Sequence, residues 1–600
     1  SKMLIFDIET NALELEEITK IHTLAIYDFK TDKYTRYDKE EVKKGVEILG
    51  ASACIIGHNI INFDIPVIKK FFPHFKELHY DVIDTLVWSR LVFADVYVQD
   101  IRLIKQGRLP SKFSGSHSLK AYGYRLGELK GDFNNEETCW DEWTEEMSLY
   151  CEQDVRVTKA LYDKLVKMEV AKEALELEHE VATIIQRQVN HGFSFDIEKA
   201  EQLYVKLLAR KEELEKELKE GIKPWYKPDG PLFTPKRDNK TKGYKAGVPV
   251  QKLKLIEFNP GSRQHIAHVL QTLYEWKPKE FTPSGQPKID ETVLEGLDFP
   301  EAKLLTEYLT INKRLGQLGE GAKAWLKMVK RDERIHGAVI TNGAVTGRMT
   351  HNNPNVAQVP SAAPNVPYGY ACRELFKASP GNVLVGCDAS GLELRCLAHY
   401  MSKWDKGKYA EVILNGDIHT MNQEAAGLPT RDNAKTFIYA FLYGAGDEKI
   451  GEIVGQGKGA GRKLKKSFLK KTPAIKKLRE SVANTVKKRG FLYGLDKRKL
   501  KVRSEHSALN LLLQSAGALV MKKALVILDE RLQAKGFIPG TDYEFVANIH
   551  DEWQIDCRPE IAETIGECGR EAIKAAGDYF KFRCPLDGEY KIGNNWAETH

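Results

Sequence analysis

ANIHDEWQIDC, residues 547–557, sets a histidine and two adjacent carboxylates between apolar segments. Phe545, Ala547 and Ile549 alternate ahead of the row, and Trp553, Ile555 and Cys557 alternate behind it. Period-two patterning on both sides predicts a β-hairpin with His550, Asp551 and Glu552 at its tip. Neighbouring carboxylates repel, so such a row is worth keeping only where a cation offsets the repulsion. VLVGCDASGLELRCLAHY (383–400) offers a second half for that site. It begins as an apolar strand and becomes a helix after the glycine. Asp388 stands at the strand end, where its side chain and the carbonyl of Ala389 can face a metal. In isolation, the hairpin reads equally well as a solvated turn.

A third segment carries positive charge. In LPTRDNAKTFIYAFLYGAG (428–446) Thr430 is placed to cap a helix, Asp432 suits its first turn, and Gly444 and Gly446 stop it. Arg431, Lys435 and Tyr439 recur every four residues and share one face. Two cations and an aromatic ring suit a nucleoside triphosphate, with charge for the phosphates and a flat surface for base and sugar.

The chain opens on another acidic pattern. LIFDIET (4–10) projects Asp7 and Glu9 from one strand face, GHNIINFDIPVI (57–68) sets Asp64 among apolar residues, and MSLYCEQDVRVTKAL (147–161) places Tyr150 and Asp154 one helical turn apart. Four such carboxylates can hold two divalent ions, with Tyr150 orienting a water. That is equipment for phosphodiester hydrolysis.

In this order, DxE, HNxxxFD and YxxxD resemble the DEDD-type proofreading 3′–5′ exonucleases. DASGLELR, RDNAKTFIYAFLYG and HDE resemble the three polymerase motifs of family A, the Pol I-like DNA polymerases. TGRMT (346–350), PNVAQVP (354–360), GAGDEKIG, LLQSAGAL and GNNWAETH extend the likeness nearly end to end, toward the phage members of the family. The resemblance implies a multidomain α/β fold: a DEDD-type, RNase H-like exonuclease followed by a right-hand polymerase. Its expected divisions are exonuclease 1–168, thumb 169–330 with a short basic insertion near 223–257, palm 331–405, fingers 406–505 and palm again 506–600.

The same resemblance implies a replicative, template-directed DNA polymerase with proofreading. Asp388, the Ala389 carbonyl and Asp551 would hold two Mg²⁺ ions, with Glu552 in support; Asp7, Glu9, Asp64 and Asp154 would hold two more, beside Tyr150. Arg431, Lys435 and His419 would take phosphate oxygens, and Glu393 and Tyr439 would form a sugar pocket that leaves no room for a ribose hydroxyl. A phenol at 439 resembles the family version that tolerates chain-terminating dideoxynucleotides. Arg348 and Gln514 would reach the minor groove, whose acceptors are common to every base pair, and His550 would abut the primer terminus. Partners would be primer–template DNA, deoxynucleoside triphosphates and a helicase–primase. Phage relatives use a long thumb insertion to recruit thioredoxin; the insertion here is shorter, and Lys236, Arg237, Lys240, Lys242 and Lys245 favour direct DNA contact. A single-subunit RNA polymerase shares the palm, but Glu393 and the linked exonuclease argue for deoxynucleotides.

Composition narrows the remaining classes. The net charge of +6 over 600 residues is too small for bulk attraction to DNA, so any nucleic-acid surface comes from local clusters such as 458–503. Nine cysteines without a CxxC pair suit free thiols in a reducing cytoplasm, that of a host cell if the gene is phage-borne. The opening apolar run 3–6 is too short for a secretory signal, and LNLLLQSAGALVM (509–521) is too short to cross a bilayer. Leu203, Leu207, Leu214 and Leu218 mark an amphipathic helix over 201–221 within a helical, charged stretch from 172 to 220; 223–254 reads as a loop. Beyond about 330, strands and helices are expected to alternate.

Overall fold

The computed structural model describes residues 2–75, 81–128 and 139–600. The chain packs as two compact units, one of residues 1–193, 336–357 and 378–600, the other of 194–335 and 358–377.

Among the described residues, the larger unit holds two large sheets besides two two-stranded ones. The first has five strands in the order Lys33–Asp38, Ile21–Asp28, Met3–Thr10, Cys54–Gly57, Asp81–Asp84. Its first two pairings are antiparallel and its last two parallel. Met3–Thr10 is central, and Leu4, Ile5, Phe6 and Ile8 are buried as a strand covered on both faces requires. The helix Glu145–Val166, capped by the Thr144 hydroxyl accepting from the Met147 amide at 3.2 Å, lays Cys151 and Val155 against Ile5 and Ile56.

The second sheet is antiparallel, in the order Tyr543–Ile549, Glu552–Cys557, Val383–Ala389, Gly588–Gly593. Its register sets Asp388 opposite Glu552, and the Ala389 amide donates to the Asp551 carbonyl at 3.0 Å. Gly386 faces the Thr599 carbonyl so closely that a Cβ there would lie 2.3 Å from it; only glycine admits that approach. The hairpin differs from its sequence reading. His550 and Asp551 make the turn, with His550 left-handed at φ 53°, while Glu552 begins the second strand and is 5 % exposed. A bulge between Phe545 and Ala547 breaks the alternation, and both strands are buried on both faces.

Three other expectations give way. From Leu392 to Arg489 the chain runs through seven helices with no strand between them, because apolar stripes such as Phe437, Phe441 and Phe468 pack into one core. LNLLLQSAGALVM is part of a 27-residue helix, Ala508–Ala534. That helix is long and apolar enough to cross a membrane, yet 72% of its apolar window is buried inside the protein. Helix over 172–220 is interrupted at Gly192 (φ 77°) and the strand Phe193–Phe195.

The helix Lys172–His191 ties the two sheets together. At one side His179 Nε2 accepts the amide of Asp84, at the end of the five-stranded sheet, at 2.9 Å. On the other, Glu178 receives Lys522 Nζ at 2.8 Å and Arg498 Nη1 at 2.7 Å, while Arg498 also grips Asp496 at 2.7 Å. Further along, Arg187 bridges Asp529 and Glu544 (2.7 and 3.0 Å), and Gln188 accepts from Asn548 in the hairpin at 2.6 Å.

In the smaller unit Leu203, Leu207, Leu214 and Leu218 are all buried on the helix Ile197–Gly221, each contributing about 2 kcal/mol of apolar burial. Arg210 forks onto Glu307 of the helix Pro300–Leu315 at 2.7 and 3.0 Å. The 223–254 stretch is more than a loop: Trp225–Pro228 pairs with Leu253–Ile256, and Phe233 bridges Val250. Trp225, stacked on His268 at 4.7 Å, anchors that hairpin.

Glu178 is fully buried between two buried cations. Glu178→Gln is expected to destabilise the larger unit by roughly 3–5 kcal/mol, because Lys522 and Arg498 lose the charge that compensates their burial. Urea unfolding followed by tryptophan fluorescence measures it.

Candidate active sites

Two carboxylate centres emerge, both in the larger unit. At the first, Asp7 and Glu9 share a face of the central strand, as their spacing requires, and Asp64 and Asp154 reach the same spot. Asp64 is 2 % exposed and accepts the Ile8 amide at 3.2 Å. Side-chain hydrogen bonds join Asp7 to Asp154, Asp64 and Glu9. Burial, then mutual repulsion, raises the carboxyls of Glu9, Asp64 and Asp154 well above the usual range. Burial likewise carries Asp7 up to about 6, opposed by its hydrogen bonds. Tyr150 stands half-buried one turn before Asp154. Four oxygen-donor groups crowded together suit hard divalent cations.

At the second, Asp388 and Asp551 are brought together by the strand register. Burial and Glu552 push Asp388 up to about 6, and burial raises Asp551 as well. Burial would raise Glu552 too, but His600, Gln554 and Trp596 more than offset it and its net shift is downward. All three donate to, or face, the same oxygen: Gln554 Nε2 at 2.8 Å, His600 Nδ1 at 3.1 Å and Trp596 Nε1 at 3.2 Å from Oε2. His600 also lies 3.8 Å from Asp388, and Asp388, Glu552 and His600 form a cluster able to hold an ion.

Next to this centre is a cavity of about 360 Å³, lined by Arg348, Glu393, Gln514, His550, Asp551 and Glu552 among others. Tyr443 donates to Glu393 Oε2 at 3.2 Å, and burial raises the Glu393 carboxyl. The helix Arg431–Leu442 is capped by Thr430, whose hydroxyl accepts the Asn433 amide at 3.0 Å. Arg431 and Lys435 are exposed on it, and Tyr439 is half-buried within the field of Glu393 and Asp551. Burial, then Arg431 and Lys435, lowers the His419 imidazole, so this neutral ring lies close to the two cations. They do not line the cavity itself. Arg431 is held by Asp417 at 2.8 Å, a partner the sequence reading did not supply.

Three further groups escaped that reading. Tyr443 extends the every-four stripe of Arg431, Lys435 and Tyr439 by one step, so the signal was present. Cys151 follows Tyr150 directly, and its thiol meets Asp7. His600 lies in GNNWAETH, where only the three-dimensional return to Glu552 gives it a purpose.

Residues 242–598 match the profile of DNA polymerase family A, and residues 4–166 match the RNase H superfamily. Over its full length the chain is 43% identical to the full-length DNA-directed DNA polymerase of Escherichia phage T7. The chain belongs to DNA polymerase family A. It is equally similar, 43% over both full lengths, to the polymerase of Enterobacteria phage T3. It is 27% identical to DNA polymerase I of Aquifex aeolicus over 57% of this chain and 58% of that one. A solved structure, the POL domain of Pol1 from M. smegmatis in complex with DNA primer-template and dNTP, superposes with a TM-score of 0.73 over 99% of this chain and 96% of that one; at 16% identity it speaks for the fold. The family A chain therefore joins an RNase H-like domain to a polymerase domain.

The raised Asp388 carboxyl makes cation binding at the second centre acid-sensitive. Protons and divalent ions compete for the same oxygens, so Mn²⁺ affinity should be full above pH 7 and fall about tenfold per pH unit below about 6. Titration calorimetry on Asp7→Ala/Glu9→Ala protein isolates this centre.

Proposed function

We propose that this protein is a replicative, template-directed DNA polymerase that extends a primer with deoxynucleoside triphosphates and edits it with a 3′–5′ exonuclease, in the cytoplasm of a phage-infected cell. The observation that carries the reading is the coexistence, in one family A chain, of two separate carboxylate centres, one of them opening on a cavity. The divisions proposed are exonuclease 1–168, thumb 169–330, palm 331–405 and 506–600, and fingers 406–505.

Asp388, Asp551 and the Ala389 carbonyl would hold two Mg²⁺ ions, and Asp7, Glu9, Asp64 and Asp154 two more. When bound, such ions supply an activated hydroxyl and charge neutralisation for in-line displacement at phosphorus. The residues do the rest. Glu552, its Oε2 engaged by three donors, steadies the Asp388 side of the site instead of competing for an ion. Arg431, Lys435 and His419 receive the triphosphate, and Arg431 exchanges Asp417 for phosphate as it does so. Glu393, held by Tyr443, closes the sugar pocket with Tyr439 and excludes a 2′-hydroxyl by occupying its space. Arg348 and Gln514 contact the minor groove, and His550 adjoins the primer terminus. At the other centre, Tyr150 orients the water that cleaves the terminal phosphodiester.

Extension and degradation of a labelled primer–template with Mg²⁺ test the division of labour. Asp551→Asn should abolish synthesis and spare degradation; Asp7→Ala/Glu9→Ala should do the reverse. Loss of both activities from either change sinks the two-centre reading.

The insertion hairpin at 225–256 would contact duplex DNA through its lysines rather than recruit thioredoxin, and a helicase–primase would act alongside. Primer-extension products of equal length with and without thioredoxin are expected; longer products with it overturn this part.

A further inference from the structure

The smaller unit contains a groove of about 940 Å³ that belongs to neither carboxylate centre. The helix Pro300–Leu315 forms one wall with Lys303, Lys313 and Arg314, and the segment 291–299 forms the other. Arg314 is only 7 % exposed, and among the described residues no carboxylate lies within ion-pair distance of it. Its Nε donates to the Pro367 carbonyl at 3.1 Å and its Nη1 to Gln317 Oε1 at 3.3 Å. Those bonds fix the guanidinium plane and leave Nη2 without a protein partner at the groove. A buried cation ordinarily has a carboxylate beside it. Glu307, on the same helix, is already forked by Arg210. Burial holds the Arg314 guanidinium below its ordinary value, and its surroundings do not reverse that.

The rest of the lining restricts what can complete this site. Lys303 and Arg314 bracket the groove along the helix, about 16 Å apart. Lys313 sets a second cation beside Arg314. Leu294, which is buried, and Phe299, stacked on Tyr274 at 4.2 Å, make the middle apolar. Glu295 and Asp298 stand toward the other end, just ahead of where the helix Pro300–Leu315 begins. A matching ligand is anionic at one end, flat and apolar in the middle, and supplied with N–H donors at the other. A nucleotide has that order: phosphate for the guanidinium, a base for the apolar middle, and an exocyclic amino group for the carboxylates. Duplex DNA lacks it, because its bases are stacked inside the helix and its phosphate rows would run against Glu291, Glu295 and Asp298.

We propose that the groove binds one nucleotide unit, with its phosphate on Arg314 and Lys313 and its base toward Glu295 and Asp298. Two sources carry such a unit: a free nucleoside monophosphate, and an unpaired nucleotide within a DNA strand. The phosphate supplies the negative charge that Arg314 lacks, and no covalent bond is made or broken. Cytosine is favoured over thymine, whose base offers no amino group. The site is independent of both carboxylate centres, which lie in the larger unit.

The test uses the full chain in EDTA, so that no ion recruits nucleotide to either carboxylate centre, and compares it with Arg314→Met. Methionine keeps an unbranched apolar stem and removes the charge; primer extension with Mg²⁺ restored reports that the variant is folded. Calorimetric titration with dCMP should show binding that Arg314→Met weakens about tenfold, the loss of one hydrogen-bonded charge pair. Both dTMP and inorganic phosphate should bind the unaltered chain more weakly than dCMP. Asp298→Ala with Glu295→Ala, both at exposed positions, should erase the preference for dCMP over dTMP whatever Arg314→Met does to folding. A short oligodeoxycytidylate identifies the source: a tenfold loss for it, with none for dCMP, upholds the site and assigns it to a strand. Equal affinities of the unaltered and Arg314→Met proteins for both probes overturn the proposal. A loss confined to duplex DNA also overturns it, since Arg314 would then be a backbone contact. Inorganic phosphate binding as tightly as dCMP, or a base preference that survives the double alanine change, overturns the placement of the base.

Discussion

The hydrogen bond from the Ala389 amide to the Asp551 carbonyl closes the ladder between a strand ending near residue 389 and a hairpin beginning again at 552. Everything at the polymerase centre depends on that register. Side chains alternate across a strand, so a slip of one residue would turn Asp388 away and present Cys387, now buried, in its place. Gly386 makes the slip harder still, since no other residue fits beneath the Thr599 carbonyl. With the register fixed, carboxylates distant in sequence become neighbours, and their repulsion creates a demand for cations.

The two centres meet that demand differently. At the polymerase centre part of the negative charge is compensated internally: His600, Gln554 and Trp596 lower the Glu552 carboxyl, whereas Asp388 and Asp551 stay raised. At the nuclease centre burial and mutual repulsion raise Glu9, Asp64 and Asp154, and hydrogen bonds from those neighbours only partly offset the burial of Asp7.

Much of this was legible in the sequence because motif chemistry is local. Strand alternation gave Asp7 and Glu9 a common face, helical spacing grouped Arg431 with Lys435 and Tyr439, and a Thr430 cap marked where that helix starts. What was illegible is what folding adds over distance. Glu552 looked like part of an exposed tip because alternation cannot reveal that both faces of the hairpin are covered. The bulge at 545–547 has no composition signal, and the insertion's strands are too short and too charged to show a period. His600 and Asp417 matter only through contacts with residues far away or on another helix. The family resemblance carried the assignment of fold where periodicity could not.

The helix Lys172–His191 is clamped to the five-stranded sheet through His179 and to the helix Ala508–Ala534 and the hairpin through Glu178, Arg187 and Gln188. A strut anchored at both ends resists change in the span between the two centres. On the proposed function, the DNA rather than an active site makes the journey when a primer is edited. The decision to proofread is thereby handed to the substrate, because a primer end that frays readily sets out more often than one that is well stacked. On that function, the stability of the newest base pair becomes the timer for its own inspection.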